Sequence, residues 1–284
     1  MITNLVFSGG GITGLAYFGV VGALEEHGVL SHVRHIAGCS SGALMALMVC
    51  LGYTYEELKI ISKYYDYKEL LDIQILGLVE KFGIETGRRF MRFIGKLMEY
   101  KIGVKDITFR DLYFITGRKL TVVASCVDTD TSEYFSIDTH PGMSVMLALR
   151  MSISIPCVLT AVHYQGKVWV DGGVHNPFPV ELFEPADTLG VRVVNSHDIK
   201  ADENPDVFPP IIVHVFKILM SFYIRAREYK EPLIKAYNPV NIETGSGALS
   251  INMSRKDRSA LIKKGYETMT NYMFYNKKLF SYCI

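Results

Sequence analysis

Twice within its first fifty residues the chain runs a short apolar strand into a glycine turn, then into a helix that is apolar on nearly every side. Leu5-Val6-Phe7-Ser8 enters Gly9-Gly10-Gly11 and continues as Thr13 to His27, stopped by Gly28. Val33 to Ala37 enters Gly38-Cys39-Ser40-Ser41-Gly42 and continues as Ala43 to Leu51, stopped by Gly52. A helix with no polar face must be buried, and parallel strands linked by such helices need cover on both sides. The expected fold is therefore α/β, three-layer, with a mostly parallel central sheet flanked by helices.

The rest of the chain extends this pattern. Strands are expected at Lys119 to Ser125, Tyr134 to Ile137, Lys167 to Val170 and Leu189 to Val194. Helices are expected at Met143 to Met151, Ile211 to Tyr229 and Arg255 to Lys277, with Tyr53 to about Tyr100 mostly helical and Ser196 to Pro210 a loop. No repeat, low-complexity tract or shift of composition divides the 284 residues, so one domain is expected over 1–284, with a helical extension at 211–284.

With 49% hydrophobic and 21% charged residues, the chain has the makings of a folded core. Thirty Lys and Arg against 29 Asp and Glu give a net charge of +1, which offers nucleic acid no attraction. Cys39, Cys50, Cys126, Cys157 and Cys283 are scattered with no CxxC pair, which reads as reduced thiols and neither a disulfide frame nor a zinc site. The start carries no basic leader, and no apolar run approaches the roughly 20 residues of a membrane span. The expected location is cytoplasmic, and no metal or cofactor is called for.

The two glycine turns carry the chemistry. Gly9, Gly11 and Gly14 spell GxGxxG between a strand and a helix, as in dinucleotide sites. That fingerprint also needs a carboxylate near the end of the second strand, where this chain has Gly38-Cys39-Ser40. The second turn, Gly38-x-Ser40-x-Gly42, is a nucleophile elbow: the serine sits on a tight bend, and small neighbours two residues to either side avoid clashes. A serine acting on an acyl group needs N–H donors for the developing oxyanion, and Gly9-Gly10-Gly11 can supply them. Both turns end strands expected to be adjacent and parallel, so both open onto one crevice.

A base must take the serine proton. None of the eight histidines combines a strand end with a glycine turn; His175 comes nearest, four residues after Asp171. Asp171 itself follows Val168-Trp169-Val170 and precedes Gly172-Gly173, which puts a carboxylate at a strand end on a bend. Asp128 and Asp130, each flanked by threonine, read as a solvated turn. A Ser–His–Asp site using His175 or His197 remains an alternative at this point.

Four blocks in order resemble the patatin-like phospholipases, a family of serine lipid acyl hydrolases. They are Gly9-Gly10-Gly11-Ile12-Thr13-Gly14, Gly38-Cys39-Ser40-Ser41-Gly42, Ser152-Ile153-Ser154-Ile155-Pro156, and Asp171-Gly172-Gly173 with Asn176-Pro177. Together they span roughly residues 4–195. The resemblance implies a dyad of Ser40 as nucleophile and Asp171 as base, an oxyanion hole at Gly9, Gly10 and Gly11, and Gly14, Gly38, Gly42, Gly172 and Gly173 as supports. It implies hydrolysis of phospholipid or other acyl-lipid esters without a metal. A free carboxylate is a feeble base toward a hydroxyl, so Asp171 should be buried, with a raised pKa. Two departures stand out. Thr13 replaces the family's usual Arg or Lys, and Met151 stands where alanine is common, which should narrow the pocket. A neutral-lipid or lysophospholipid hydrolase, an acyltransferase, and a non-catalytic lipid-binding protein are the rival readings.

A lipid substrate implies a membrane surface. Residues 250–284 hold Arg255, Lys256, Arg258, Lys263, Lys264, Lys277 and Lys278 against Asp257 and Glu267, with six Tyr and Phe interleaved. Peripheral contact with anionic lipid through this stretch is one expectation; a solvated helix face over a packed aromatic side is the plainer one. Nothing in the sequence names an activating partner.

Overall fold

The computed structural model describes residues 1–64, 69–72, 83–194, 210–245, 247–248, 250 and 252–282. His197 and the stretch 196–209, expected as loop, lie outside the described residues.

The two opening units form as expected: β1 (Asn4–Phe7), a short 3-10 turn (Gly11–Leu15) and α1 (Ala16–Glu26), then β2 (His35–Cys39) and α2 (Ser41–Cys50). There follow α3 (Tyr55–Tyr64), β3 (Gly83–Glu85), α4 (Arg88–Ile102), α5 (Phe109–Thr116), β4 (Lys119–Cys126), β5 (Thr131–Phe135), α6 (Val145–Ser152), β6 (Cys157–Leu159), β7 (Val162–Tyr164), β8 (Lys167–Asp171) and β9 (Thr188–Val194). The chain closes with α7 (Pro210–Ala236), β10 (Val240–Glu243) and α8 (Arg255–Tyr275). The main sheet runs β10-β9-β1-β2-β4-β8-β7, with β5 also on β4. Its first five strands are mutually parallel.

Three layers follow from which side chains each strand buries. Leu5, Phe7 and Ile36 face the large core under α1 and α2. Val6 and Ala37 point the other way, into a smaller cluster with Phe178, Val180, Ile234 and Tyr237. This alternation with both faces covered is what the continuous apolar runs required.

Register places the site. Strand β2 pairs with β4 through Lys119 to Val123, and β8 pairs antiparallel with β4 through Ala124 to Cys126. Strand β5 pairs with Val122 to Cys126, which overlaps both and so must occupy the opposite edge. Strands β2 and β8 therefore meet end to end along one edge of β4, with Cys39 opposite Val123 and Asp171 opposite Ala124. Two residues 131 apart in sequence become neighbours because two strands of opposite direction stop at the same point.

Helix α8 packs on α1 at glycine contacts. A Cβ on Gly265 would overlap the Ala16 carbonyl, and one on Gly19 would overlap the Ile262 carbonyl. Neither backbone can yield without separating the helices. Gly265→Ala is expected to destabilise the fold by about 2–3 kcal/mol, read as a lower denaturant midpoint at unchanged slope. An unchanged midpoint would show that α8 does not pack closely in solution. The far end of α8 carries exposed Phe274 and Tyr275, with Lys277 Nζ 4.5 Å from the Phe274 ring centroid. This end lies at the starts of the parallel strands: Tyr282 Oη accepts from the Ile2 amide (2.6 Å) and Tyr272 Oη donates to the Asn238 carbonyl (2.6 Å). Ser40 follows the C-terminal end of β2, at the other end of these strands, so these aromatics do not border it.

Candidate active site

Ser40 joins the last residue of β2 to the first of α2 with φ 54° and ψ −122°. A positive φ at a non-glycine residue is costly and persists only where its surroundings enforce it. Here they do. The Ser40 amide donates to Ser152 Oγ (2.9 Å), and its carbonyl accepts from the amides of Ala43 (3.0 Å) and Leu44 (3.2 Å). Bare backbone on both sides makes room for the bend: a Cβ on Gly38 would overlap the Gly42 carbonyl, and one on Gly42 would come 2.5 Å from the Ser8 carbonyl oxygen. Gly14 is needed for the same reason, since its Cβ would lie 2.7 Å from Ser41 Oγ.

Ser40 Oγ donates to Asp171 Oδ2 at 2.6 Å. Both residues are buried, each 6% exposed. The other carboxylate oxygen, Oδ1, accepts from the Gly173 amide (2.7 Å) and from the Cys39 thiol (3.8 Å). Gly172 lets this bend pass under β4, because a Cβ there would sit 2.5 Å from the Val123 carbonyl oxygen. Burial pushes the Asp171 carboxyl up to about 6, while hydrogen bonds from Ser40, Gly173 and Cys39 restrain the rise. Burial, with the adjacent carboxylate, pushes the Cys39 thiol well above its ordinary range, so it stays protonated as a donor.

The glycine loop lies beside Ser40: a Cβ on Gly9 would be 3.6 Å from Ser40 Cβ. One part of the sequence expectation changes here. The Gly9 amide donates to the Pro177 carbonyl at 2.9 Å, so it is not a free donor for an oxyanion. The amides of Gly10 and Gly11 have no protein acceptor among the described residues.

His175 turns its Nε2 to Asp130 Oδ1 at 2.8 Å, on the β4–β5 turn, and makes no hydrogen bond to Ser40. Asp128 accepts from the Val168 amide at 2.6 Å, as a turn residue does. Among the described residues no cluster of three or more His, Cys, Asp or Glu is arranged to hold a metal ion. No helix there is long and apolar enough to cross a membrane.

Sequence reasoning missed Arg150. Its guanidinium, largely buried, donates to the carbonyls of Thr86 (3.1 Å) and Thr160 (2.8 Å), to Thr160 Oγ1 (2.8 Å) and to Ser154 Oγ. The Ser154 carbonyl in turn accepts from the Asp171 amide at 2.9 Å. Burial pulls the guanidinium down to about 10. The available signal was a single charge inside the apolar run Val145 to Met151. Met151, next to it, is fully buried.

A family model described as patatin-like phospholipase matches residues 5–184. An uncharacterised protein of Acanthamoeba polyphaga mimivirus is 30% identical over 206 residues, which cover 69% of this chain and 67% of that protein. A probable lipid hydrolase of Invertebrate iridescent virus 6 is 27% identical over 184 residues, 63% of this chain and 62% of the viral one. Among solved structures, VipD from Legionella pneumophila superposes with a TM-score of 0.68 at 18% identity, over 99% of this chain and 67% of VipD. At that identity the likeness concerns the fold.

Proposed function

The chain belongs to the patatin-like phospholipase family of lipid hydrolases, and from that premise we propose that it cleaves carboxyl ester bonds of phospholipids through a Ser40–Asp171 dyad. The observation that carries this reading is the 2.6 Å hydrogen bond from Ser40 Oγ to a buried carboxylate.

Asp171 Oδ2 takes the Ser40 proton as Oγ attacks the ester carbonyl carbon. The carbonyl π electrons move onto oxygen, and that oxyanion lies against the amides of Gly10 and Gly11. The intermediate collapses, the C–O bond to the glycerol oxygen breaks, and the leaving oxygen takes the proton from Asp171. A lysolipid departs and the acyl group stays on Ser40. Water then gives its proton to Asp171 and attacks the acyl carbon; Ser40 leaves and recovers that proton, and a fatty acid is released. Raising the Asp171 pKa serves both halves, since a stronger base takes the proton more readily and still returns it near neutral pH.

A second reading, a neutral-lipid hydrolase, has one observation in its favour. Thr13 is fully buried with its hydroxyl on the Gly10 carbonyl (2.6 Å), so position 13 brings no cation for a phosphate head group. Assay on phosphatidylcholine vesicles and on triacylglycerol emulsions separates the two. Lysolipid and fatty acid in equal amounts support the phospholipase; turnover of the emulsion alone supports the second reading.

His175 has no part in either. His175→Gln is expected to keep activity within about twofold of wild type, since its ring serves the Asp130 turn. Loss of turnover in that folded variant would favour a triad.

A further inference from the structure

The hydrogen bonds of the glycine loop can be accounted for nearly to the last group. The Gly9 amide goes to Pro177, the Ile12 amide to the Ala248 carbonyl (2.9 Å), and the Gly9 carbonyl accepts from Ser8 Oγ (2.9 Å). The Gly10 carbonyl accepts twice from Thr13, from its hydroxyl at 2.6 Å and from its amide at 3.3 Å. Among the described residues the amides of Gly10 and Gly11, both half-buried, have no protein acceptor, which leaves them open to water or a ligand.

Their direction follows from the backbone. Gly10 has φ −177° and ψ 7°. With ψ near zero, the nitrogens of Gly10 and Gly11 lie on the same side of the Cα–C bond. With φ near 180°, the Gly10 N–H falls in that same plane. The two N–H bonds therefore converge on one point, a concavity suited to a single anionic oxygen. The peptide between Gly10 and Gly11 is planar, so its C=O points away from that point. Whatever grips the C=O from behind fixes where the Gly11 N–H aims.

We propose that the Thr13 hydroxyl is a positioning residue for the acyl-transfer reaction: by holding the Gly10 carbonyl it locks the Gly10–Gly11 peptide plane and keeps the two amides converged on the oxyanion. Thr13 is fully buried, and the Gly10 carbonyl is the partner its hydroxyl uses. The proposal rests on the Ser40–Asp171 reading above.

The test compares Thr13→Val, which keeps shape and removes the hydroxyl, with Thr13→Ser, which keeps the hydroxyl and removes a methyl. Deleting an oxyanion donor outright costs about 10²–10³ in kcat; misaiming one is expected to cost roughly tenfold. On a short chromogenic ester, Thr13→Val should lose about tenfold in kcat with KM within about twofold, and Thr13→Ser should restore most of the rate. If Thr13→Val fails to fold, Thr13→Ala takes its place in the comparison. Equal kcat in wild type, Val and Ser variants overturns the proposal. So does an equal loss in Val and Ser, which would assign the effect to packing of the methyl. Ser40→Ala run alongside keeps the two levels apart: if it still turns over, the dyad reading itself fails.

Discussion

Ser40→Ala is expected to reduce acyl release by about 10³-fold or more, with the folded state intact. Removing a covalent nucleophile leaves only what binding and the oxyanion donors contribute. The loss should appear in kcat, because the hydroxyl acts on the reacting carbon and little on ground-state binding. Folding should tolerate the change. The Ser40 side chain makes one hydrogen bond, to Asp171, while the bend is held by the Ser40 amide and carbonyl, which alanine keeps. Circular dichroism and the denaturant midpoint check the fold, and fatty-acid release checks the activity. A folded variant with activity near wild type would remove the covalent mechanism.

Asp171→Asn should lose at least about 10³-fold as well, because an amide cannot accept the serine proton. The wild-type rate should rise with pH through about 6, where the Asp171 carboxyl ionises, and then level. That limb should vanish from the residual activity of Asp171→Asn. Stability should move the other way. In the folded protein the carboxyl binds its proton more tightly than in the unfolded chain, with a pKa raised from 3.8 to about 6. Its contribution is thus fully favourable below about pH 4 and is lost as pH rises through about 6. At one unit per 1.36 kcal/mol the loss is on the order of 3 kcal/mol at neutral pH. Asparagine carries no such charge. Asp171→Asn should therefore be at least as stable as wild type at pH 7.5, and that advantage should shrink as pH falls below 6. A variant less stable than wild type at pH 7.5, by the same margin at every pH, would mean the burial of this charge costs the fold nothing. A group that costs the fold stability at the place where the proposed chemistry needs it is a common relation between stability and activity.

The site was largely legible because its constraints are local. An elbow serine needs bare backbone two residues away, and Gly38 and Gly42 state that need in the sequence itself. The apolar character of α1 and α2 announces burial from both sides, which is why the parallel core of the sheet could be expected. What was not legible depends on distant partners. Strands β3 and β6 have three residues each and, among the described residues, pair only with one another, so no periodicity of their own marks them. They fell within or beside stretches read as helix or loop, as did β10, whose four residues find their place against β9. The short α5 is capped by Thr108, whose side chain accepts from the Asp111 amide, a start signal too local to stand out in the sequence. The loss of the Gly9 donor followed from Pro177, which reaches the loop from the far end of the motif region. Arg150 looked like an interruption in an apolar helix, and its role as a brace for the Ser154 segment emerges only when Thr86 and Thr160 come alongside.

The central claim is that Ser40 is activated by its neighbour and open to acyl chemistry. A fluorophosphonate probe tests it most directly, because it phosphonylates an activated serine and leaves a mass tag. The protein should take up one equivalent, mapped by peptide mass spectrometry to Ser40, and both Ser40→Ala and Asp171→Asn should abolish it. Folded wild-type protein that stays unlabelled at Ser40, or takes the tag at another residue, would contradict the account.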